Sequence, residues 1–308
     1  MSVPGEGSVR GEAIGGYAAA LGAVLLWAGF VLVSRMGGRS ALTGWDIVAL
    51  RMGVATLVLL PFSMRLPAGT WRDPRLWTLA MVGGLASQIF VYCGFKYAPA
   101  AHGGILFSGM QPFLIPLLGW LLVGSRPDRA RLLALIPIAA GVLCLALPLL
   151  QASEEHASVL LGDALLLGSG IAWACYSVLA RAWGYDVWLL TRFMAIAGCA
   201  AYLPVYLLLL PKALDSAPLS AILLQGLYQG LGASIVAMAL FLRAVALIGP
   251  ERTGVLTTFV PVLSGLAAVP LLDEPLTPSL IAGLVLVSAG ALLATRPMRP
   301  PGRASPRA

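Results

Sequence analysis

The sequence predicts an all-α integral membrane protein with ten transmembrane helices, arranged as two inverted five-helix repeats. Three observations lead to this prediction: an excess of apolar residues, unbroken apolar runs, and a sequence pattern that occurs twice. Of the 308 residues, 59% are hydrophobic and only 11% are charged. A soluble domain is about a quarter charged, so this chain has too few charges to cover a surface that faces water.

The apolar runs favour helices over a membrane barrel. Several of them exceed the roughly 18 residues that are typical of a spanning helix. Strands of a membrane barrel would instead alternate apolar and polar residues. Since lipid offers no hydrogen-bond partner to bare backbone groups, continuous apolar segments must be satisfied internally as helices.

Charged, proline-rich and glycine-rich breaks divide the chain into ten candidate spans. They are 14–34, 44–64, 76–96, 101–123, 129–150, 160–182, 187–210, 219–246, 252–272 and 277–295. The first repeat is therefore expected over 14–150 and the second, inverted repeat over 160–295, with cytoplasmic tails at 1–13 and 296–308. The loops are short, and only QASEEHAS (151–158) and the C-terminal tail are typical of a hinge and a solvated end.

The cysteines and the N-terminal segment argue against a secreted or metal-binding protein. The segment MSVPGEGSVRGE contains acids and glycines and leads into a full-length span, so we expect no cleaved signal. The four cysteines all lie within apolar runs without C-x-x-C spacing, and we expect small buried hydrophobes rather than disulfides or metal ligands. No cofactor is expected. These cysteines are Cys93, Cys144, Cys175 and Cys199.

Basic residues predict the orientation of the chain. The net charge is +7. In a membrane protein, an excess of basic residues indicates the orientation of the chain rather than nucleic-acid binding, and we expect no nucleic-acid partner. Fourteen of the Lys and Arg residues fall on one side of the ten spans and four on the other, while Arg51 and Arg192 fall within spans. Cytoplasmic loops are enriched in Lys and Arg. We therefore expect a multi-pass protein of the inner (plasma) membrane with both termini in the cytoplasm.

The repeated pattern is LLWAGFVLVSR at 25–35 and IAWACYSVLAR at 171–181. Trp27 matches Trp173, and Arg35 matches Arg181 at the same offset. Further matches are GGLAS (83–87) with GLGAS (230–234), Pro112 with Pro261, and Gly141 with Gly290. Each half holds five spans, an odd number, so the second half must enter the membrane upside down. Inverted repeats are typical of secondary transporters with a site near the midplane; the alternative is a duplication that enlarged a membrane protein without a pathway.

These residues resemble the drug/metabolite transporter superfamily, in particular its EamA-type ten-helix exporters, over residues 14 to 295. The resemblance rests on the Trp-led first helix of each half and on the proline-containing fourth helix, GILFSGMQPFLIPLLGWLLVG and TGVLTTFVPVLSGLAAVPLLDEPL. It also rests on LLDEPLTPSLIAGLVLVSAGALLA, with an acidic Glu274 before the last helix. It implies export of small metabolites. In the first half the equivalent of Asp273-Glu274 is Gly124-Ser125, so the usual acid is missing there.

Polar residues inside the spans predict a substrate cavity. They lie three or four positions apart, on one face of each helix, and polar groups that face lipid are costly. The predicted substrate-binding residues are Trp27, Gln88, Tyr92, Ser108, Gln111, Trp173, Tyr176, Tyr228, Gln229, Thr257 and Thr258. Aromatic walls with a few amides suit a small amphipathic metabolite such as an amino acid.

Two other roles for interior residues remain open. Ser, Thr and Gln also join helices by hydrogen bonds, which we favour for Ser87, Ser234 and Ser264, whereas for the three glutamines we favour the cavity. Pro112 and Pro261 free backbone carbonyls and are predicted to mark either a hinge or part of the site. Arg51 and Arg192 either snorkel to lipid phosphate or form a gate that attracts anionic groups.

The same sequence argues against an enzyme. His102 and His156 are predicted near loops, and neither H-E-x-x-H nor G-x-S-x-G occurs. An intramembrane enzyme and a non-transporting scaffold are the alternatives to a transporter. No acid is predicted near the middle of a span, Asp163 being the deepest, so we expect transport without obligatory proton exchange. The expected partners are a small-molecule substrate and the lipid bilayer; whether the unit is a monomer or a homodimer stays open.

Overall fold

A computed structural model describes residues 6–64, 66–125, 129–149 and 154–294 of the chain, and these residues contain helices and no strand. We label ten helical segments α1 to α10. They are α1 (Glu6–Gly38), α2 (Gly44–Ser63), α3 (Pro74–Tyr97), α4 (Ala100–Val123), α5 (Arg129–Leu149), α6 (Glu154–Ala182), α7 (Val187–Leu209), α8 (Leu219–Ile248), α9 (Pro250–Leu272) and α10 (Pro278–Ala294). Short 3₁₀ turns lie at Ala68–Arg72 and Leu214–Ser216.

Eight of these segments, α1 to α4 and α6 to α9, are long and apolar enough to cross a membrane. In α5 and α10 the apolar helices are shorter, at Leu132–Leu145 and Pro278–Leu293. The outer surface is apolar too; Leu208, for example, is 80% exposed, and an apolar surface of this kind suits lipid rather than water. The chain is thus a multi-pass membrane protein. Helix α1 begins at Glu6, earlier than the predicted residue 14. The prediction followed the start of the apolar run, whereas the helix continues through the polar residues before it.

Helix ends follow local capping chemistry. Thr43 and Asp46 form a capping box at the start of α2, each side chain bonding the backbone N–H of the other. Asp186 caps α7 in the same manner through the N–H of Leu189. The last turns of α4 and α9 both end on a left-handed residue, Gly124 (φ 73°) and Asp273 (φ 52°). Asp273 therefore occupies a backbone position that favours glycine.

Four of the ten segments are interrupted by wider or broken turns. Segments of π-helix occur at Ala80–Ala86 in α3, at Gly104–Gly109 in α4 and at Leu224–Val236 in α8. Helix α9 is broken between Thr257 and Val260. Such interruptions leave backbone groups outside the regular ladder and are frequent at functional sites.

Helices α5 and α10 pack against each other reciprocally, because a glycine of each helix faces a branched side chain of the other. A Cβ on Gly141 would lie 2.7 Å from Val287, and a Cβ on Gly290 would lie 2.5 Å from Ile138. Gly141 and Gly290 are the same number of residues apart as Ile138 and Val287. Glycine is required at both positions because the backbones approach too closely for any side chain.

Other helices also pack against a helix from the opposite half. Helix α1 packs against α8, and its counterpart α6 packs against α3. Tyr228 of α8 covers Gly29 of α1, while Tyr176 of α6 covers Gly83 of α3. The main buried core draws residues from both halves, among them Phe30, Tyr92, Tyr202 and Ala268. The two halves therefore share one core.

Candidate functional site

Three glutamines are buried in the interior of α3 and α8. Gln88 is 5% exposed, Gln225 is 1% exposed and Gln229 is fully buried. The amide nitrogen of Gln225 donates to the carbonyl of Val33 over 2.7 Å, and that of Gln229 donates to Ser34 Oγ over 3.1 Å. Both glutamines of α8 are thus tied to α1, whereas Gln88 makes no hydrogen bond to another described side chain or backbone group.

The fourth interior glutamine, Gln111, lies at the break of α4. Its amide nitrogen donates to the carbonyl of Phe107 over 2.8 Å and to that of Gly170, on α6, over 3.1 Å. Sequence reasoning left the cavity and the interhelical contact as alternatives for these amides. The nitrogen of Gln111 makes an interhelical contact, as do those of Gln225 and Gln229.

The amide oxygens behave differently from the nitrogens. The Oε1 atoms of Gln88, Gln111, Gln225 and Gln229 are all buried and accept no hydrogen bond within the described part of the chain. A buried acceptor without a donor costs about 1–3 kcal/mol. Four such oxygens in one bundle are therefore an unusual concentration of acceptors that a ligand could satisfy.

Arg51 of α2 and Tyr92 of α3 meet in the interior of the first half. Arg51 Nη1 donates to the hydroxyl of Tyr92 over 3.0 Å, and Tyr92 is fully buried. The guanidinium carbon lies 5.6 Å from the ring centroid of Phe30, within the range of a cation–π contact. Phe30 in turn lies 5.8 Å from Phe107 and 6.1 Å from Tyr92. Arg51 therefore has an aromatic surrounding, and Phe30 and Phe107 are contributors that sequence reasoning missed.

Arg192, the counterpart of Arg51, has a different environment. Its guanidinium donates to the carbonyls of Trp188 (3.3 Å) and Phe62 (3.2 Å) and lies 5.8 Å from the Trp188 ring centroid. These partners lie toward the start of α7 and the end of α2. The two arginines occupy similar places in α2 and α7 but differ in their contacts.

The predicted aromatic residues pack along the helix pairs rather than in one group. The hydroxyl of Tyr228 donates to the carbonyl of Leu26 over 3.2 Å. Trp173 and Tyr176 lie 5.1 Å apart, and Trp27 lies 5.3 Å from Phe241 of α8. Only Tyr92 among them contacts a charged side chain.

The predicted hydroxyl residues mostly bond to their own helix. Thr257 donates to the carbonyl of Gly254 and Thr258 to that of Val255; Ser108 lies in the π-helical turn of α4. Of the three serines expected to join helices, Ser87 is confirmed, with its hydroxyl 3.1 Å from that of Ser169. The expectation was wrong for the hydroxyls of Ser234 and Ser264, which bond carbonyls in their own helices because these are nearer.

Pro112 and Pro261 lie at equivalent breaks. Each is at the start of the second helix of its segment, Gln111–Val123 in α4 and Val260–Leu272 in α9. A Cβ on Gly104 would lie 3.2 Å from the Cα of Pro261. The two broken helices therefore cross where both are interrupted.

One end of the bundle carries an ion pair between the halves. Arg35 Nε lies 2.9 Å from Glu274 Oε1, and Arg35 also donates to the carbonyl of Phe95 over 2.8 Å. The other oxygen of Glu274 accepts from the N–H of Ala100 over 2.8 Å. We call these residues, together with Arg39, which donates to the carbonyl of Leu272, the Arg35 end. Sequence reasoning singled out Arg35 and Glu274 separately; their opposite charges on one predicted side could have paired them.

The matched residues of the other half form what we call the Arg181 end, consisting of Arg181, Gly124 and Ser125. The backbone matches, since Ser125 N–H donates to the carbonyl of Gly119 as Glu274 N–H donates to that of Ala268. Arg181 is exposed, and within the described ranges it has no ion pair with a carboxylate. Among the described residues, the Arg35 end thus has an ion pair between the halves and the Arg181 end has none.

A second polar pair joins α4 and α6. His102 Nδ1 lies 2.9 and 3.0 Å from the two carboxylate oxygens of Asp163, and both side chains are half-buried. The sequence had marked Asp163 as the deepest acid but placed His102 near a loop without a partner. The pair is a further contact that sequence reasoning missed.

Outside the membrane spans, Asp73 begins α3 and accepts a hydrogen bond from the hydroxyl of Tyr185. This bond lowers the pKa of Asp73 below its ordinary value, assisted by the backbone N–H of Arg75. It connects the loop before α3 to the turn after α6. Among the described residues, no group of three His, Cys, Asp or Glu side chains could hold a metal.

Comparison with known proteins shows which family the chain belongs to. The model of the EamA-like transporter family matches residues 14–147 and again residues 160–296. The uncharacterized protein PA1977 of Pseudomonas aeruginosa is 32% identical over 297 residues, which cover 89% of this chain and 92% of that protein. The uncharacterized transporter YvbV of Bacillus subtilis is 28% identical over 252 residues, 76% of this chain and 78% of that protein.

A solved crystal structure of a protein shares the fold. It superimposes with a TM-score of 0.61 at 22% identity, covering 92% of this chain and 97% of the other. Nearly the whole described bundle therefore has a counterpart of known structure.

Proposed function

Because the chain belongs to the EamA-like transporter family, we propose that it is a secondary transporter that exports small metabolites, amino acids or related amphipathic compounds. Transport proceeds by alternating access around a midplane cavity between two inverted five-helix repeats, 14–150 and 160–295. The family is a transporter family, and the proposal assigns the chain no enzymatic activity. The membrane is the inner (plasma) membrane, with both termini in the cytoplasm.

The observation that carries this proposal is the unequal fastening of the two ends. The Arg35 end holds an ion pair between the first helix of one half and the segment after α9 of the other. The Arg181 end repeats the backbone geometry without a described carboxylate at the matched place. A bundle with two equivalent ends, of which one is locked at a time, is what alternating access requires.

The exchange of partners between the halves supports the inverted repeat. Helices α5 and α10 interlock by equivalent residues, and the pair α1–α8 has its counterpart in α6–α3. Such a pattern is expected of two halves related by a two-fold axis, and with five spans in each half the proposed axis lies in the membrane plane. In this arrangement α5 and α10 cross the bilayer as the fifth and tenth spans, and their apolar helices are shorter than those of the other eight.

The interior supports a polar, aromatic cavity in the middle of the membrane. Four buried amide oxygens have no donor among the described residues. Arg51 contacts Phe30 and Tyr92, and Phe30 packs against Phe107. The breaks of α4 and α9 at Pro112 and Pro261 provide hinges beside it. A site with apolar rings and few polar groups suits a small amphipathic compound.

Counterflow tests the proposal. The purified full-length chain is reconstituted into liposomes preloaded with each of the twenty amino acids, and uptake of the same labelled compound is measured. We expect transient accumulation of at least one compound and none in liposomes without protein. Absence of counterflow for all twenty would contradict the proposed substrate class. Reporter fusions after Ala152 and Asp215 that read outside, with a C-terminal fusion that reads inside, test the orientation.

A further inference from the structure

Arg51 is a cation inside the membrane bundle without a carboxylate. It is half-buried in α2, eight residues into the helix, and none of the described Asp and Glu side chains lies within ion-pair distance of it. Its one described side-chain hydrogen bond runs to the neutral hydroxyl of Tyr92. A charge at membrane depth is costly and normally has a partner or marks a substrate path.

The chemistry of the guanidinium specifies what the missing partner is. Arg carries five N–H donors in a planar fork, and Arg51 directs one of them to Tyr92. The fork matches both oxygens of a carboxylate in a bidentate contact. Phe30 covers the guanidinium, so an anion that reaches it would be bound in a largely apolar surrounding, where charged hydrogen bonds are strong.

A second unsatisfied group lies one helical turn from Tyr92. Gln88 and Tyr92 are neighbours on one face of α3, and the buried oxygen of Gln88 accepts no hydrogen bond from the described residues. Among the described residues, Arg51 thus lacks an anionic acceptor while the amide oxygen of Gln88 lacks a donor. Phe30 lies beside Arg51 and packs against Phe107, and these two rings offer a surface for an apolar group.

We propose that Arg51 binds the carboxylate of the transported compound, whose amino group donates to the amide oxygen of Gln88 and whose side chain packs on Phe30 and Phe107. This rests on the proposed function and narrows it to α-amino acids and similar zwitterions with an apolar side chain. The site is asymmetric, because Arg192 is already bonded to the carbonyls of Phe62 and Trp188. Arg192 is therefore the matched control.

The experiment combines binding and transport with chemically paired probes. Thermal unfolding of the full-length chain in lipid nanodiscs is followed with each of the twenty amino acids and with the carboxamide of every amino acid that raises the midpoint. The same compounds are used in counterflow. A charge-assisted hydrogen bond contributes about 1.5–3 kcal/mol, so we expect the carboxamide to bind about 10- to 100-fold more weakly than the acid.

The variants separate the Arg51 contact from general effects of charge. R51Q should lose the preference for acid over carboxamide, and R51K should keep part of it, because Lys is a point charge without the fork. R192Q should keep the preference of the natural chain. Since R51Q could fail to fold, the acid-to-carboxamide ratio of the natural chain and of R51K provides an independent readout.

Each outcome decides the proposal. Equal transport of acid and carboxamide by the natural chain, or an unchanged ratio in folded R51Q, overturns the Arg51 site while the proposed transport function stands. Failure of all twenty amino acids in both binding and counterflow overturns the site and the substrate class together. Selective loss in R51Q with a normal R192Q supports the site.

Discussion

The guanidinium of Arg35 lies 2.9 Å from the carboxylate of Glu274, although the two residues are 239 positions apart in the chain. Arg35 ends α1 in the first half and Glu274 follows α9 in the second. Both are largely buried, with side-chain exposures of 15% and 9%. The contact therefore fastens the two halves to each other at one end of the bundle.

Removing one partner of this ion pair should destabilise the protein at the Arg35 end. We expect R35Q and E274Q each to lower the free energy of unfolding by about 1–3 kcal/mol, because the remaining charge is left half-buried. A double-mutant cycle measured by thermal unfolding should give a coupling energy of about 0.5–3 kcal/mol. R181Q is the matched control; Arg181 is exposed, and its loss should change stability by no more than about 0.5 kcal/mol. Additive single mutants would show that the pair contributes nothing.

The glycine of α5 that faces α10 should be intolerant of a methyl group. In G141A the new Cβ would lie 2.7 Å from Val287 and 2.9 Å from the carbonyl of Gly283, and such overpacking costs about 1–3 kcal/mol. Gly53 of α2 has no heavy atom within 4 Å of an added Cβ. G53A should therefore be neutral or stabilise by about 0.5–1 kcal/mol. Unfolding midpoints compare the two, and equal midpoints would show that α5 and α10 are not interlocked.

Two buried glutamines should respond differently to the same substitution. Q225L removes the bond to the carbonyl of Val33 and should lower stability, since the carbonyl loses its donor. In Q88L no described hydrogen bond is lost, so stability should be near normal while export falls at least about tenfold. Export by Q88L equal to that of the natural chain would remove Gln88 from the cavity. Loss of folding in Q88L would instead assign it to helix packing.

Transport should not require proton movement, although Asp163 has a titratable partner. The Asp163 carboxylate pairs with His102 between α4 and α6, and Asp163 was the deepest acid identified from the sequence. We expect substrate flux in liposomes with an internal pH-sensitive dye to be independent of an imposed pH gradient. D163N should transport at a comparable rate and show the same independence. Stoichiometric proton movement that D163N abolishes would make Asp163 the coupling residue.

The sequence predicted an all-helical membrane protein, which is confirmed, because helical spans depend on local composition; the inverted relation of the halves stays a prediction. Gly141 and Gly290 were matched from the sequence, and both lie at the α5–α10 contact. Contacts between distant residues were not predictable to the same extent. Helix packing brings together Arg35 with Glu274 and His102 with Asp163. The periodic pattern of a single helix does not show which other helix it packs against.

The interior amides show a different limit. Spacing on a helix face predicted that the glutamines point into the bundle, and Gln88, Gln225 and Gln229 are buried. It could not tell whether the amides face a cavity or another helix. In the structure the nitrogens of Gln225 and Gln229 bond to α1 while their oxygens stay without donors, a division that depends on rotamers and on the neighbouring helix.

The distances across the two ends of the bundle test alternating access most directly. In a background without the four native cysteines, spin labels are placed at Ser40 and Thr277 beside the Arg35 end, and separately at Ser125 and Ala182 beside the Arg181 end. Pulsed electron spin resonance then gives both distance distributions in lipid nanodiscs. We expect two populations at each end, with E274Q shifting the Arg35 end to longer and the Arg181 end to shorter distances. A single distance at both ends, unchanged by E274Q and by any transported compound, would contradict alternating access.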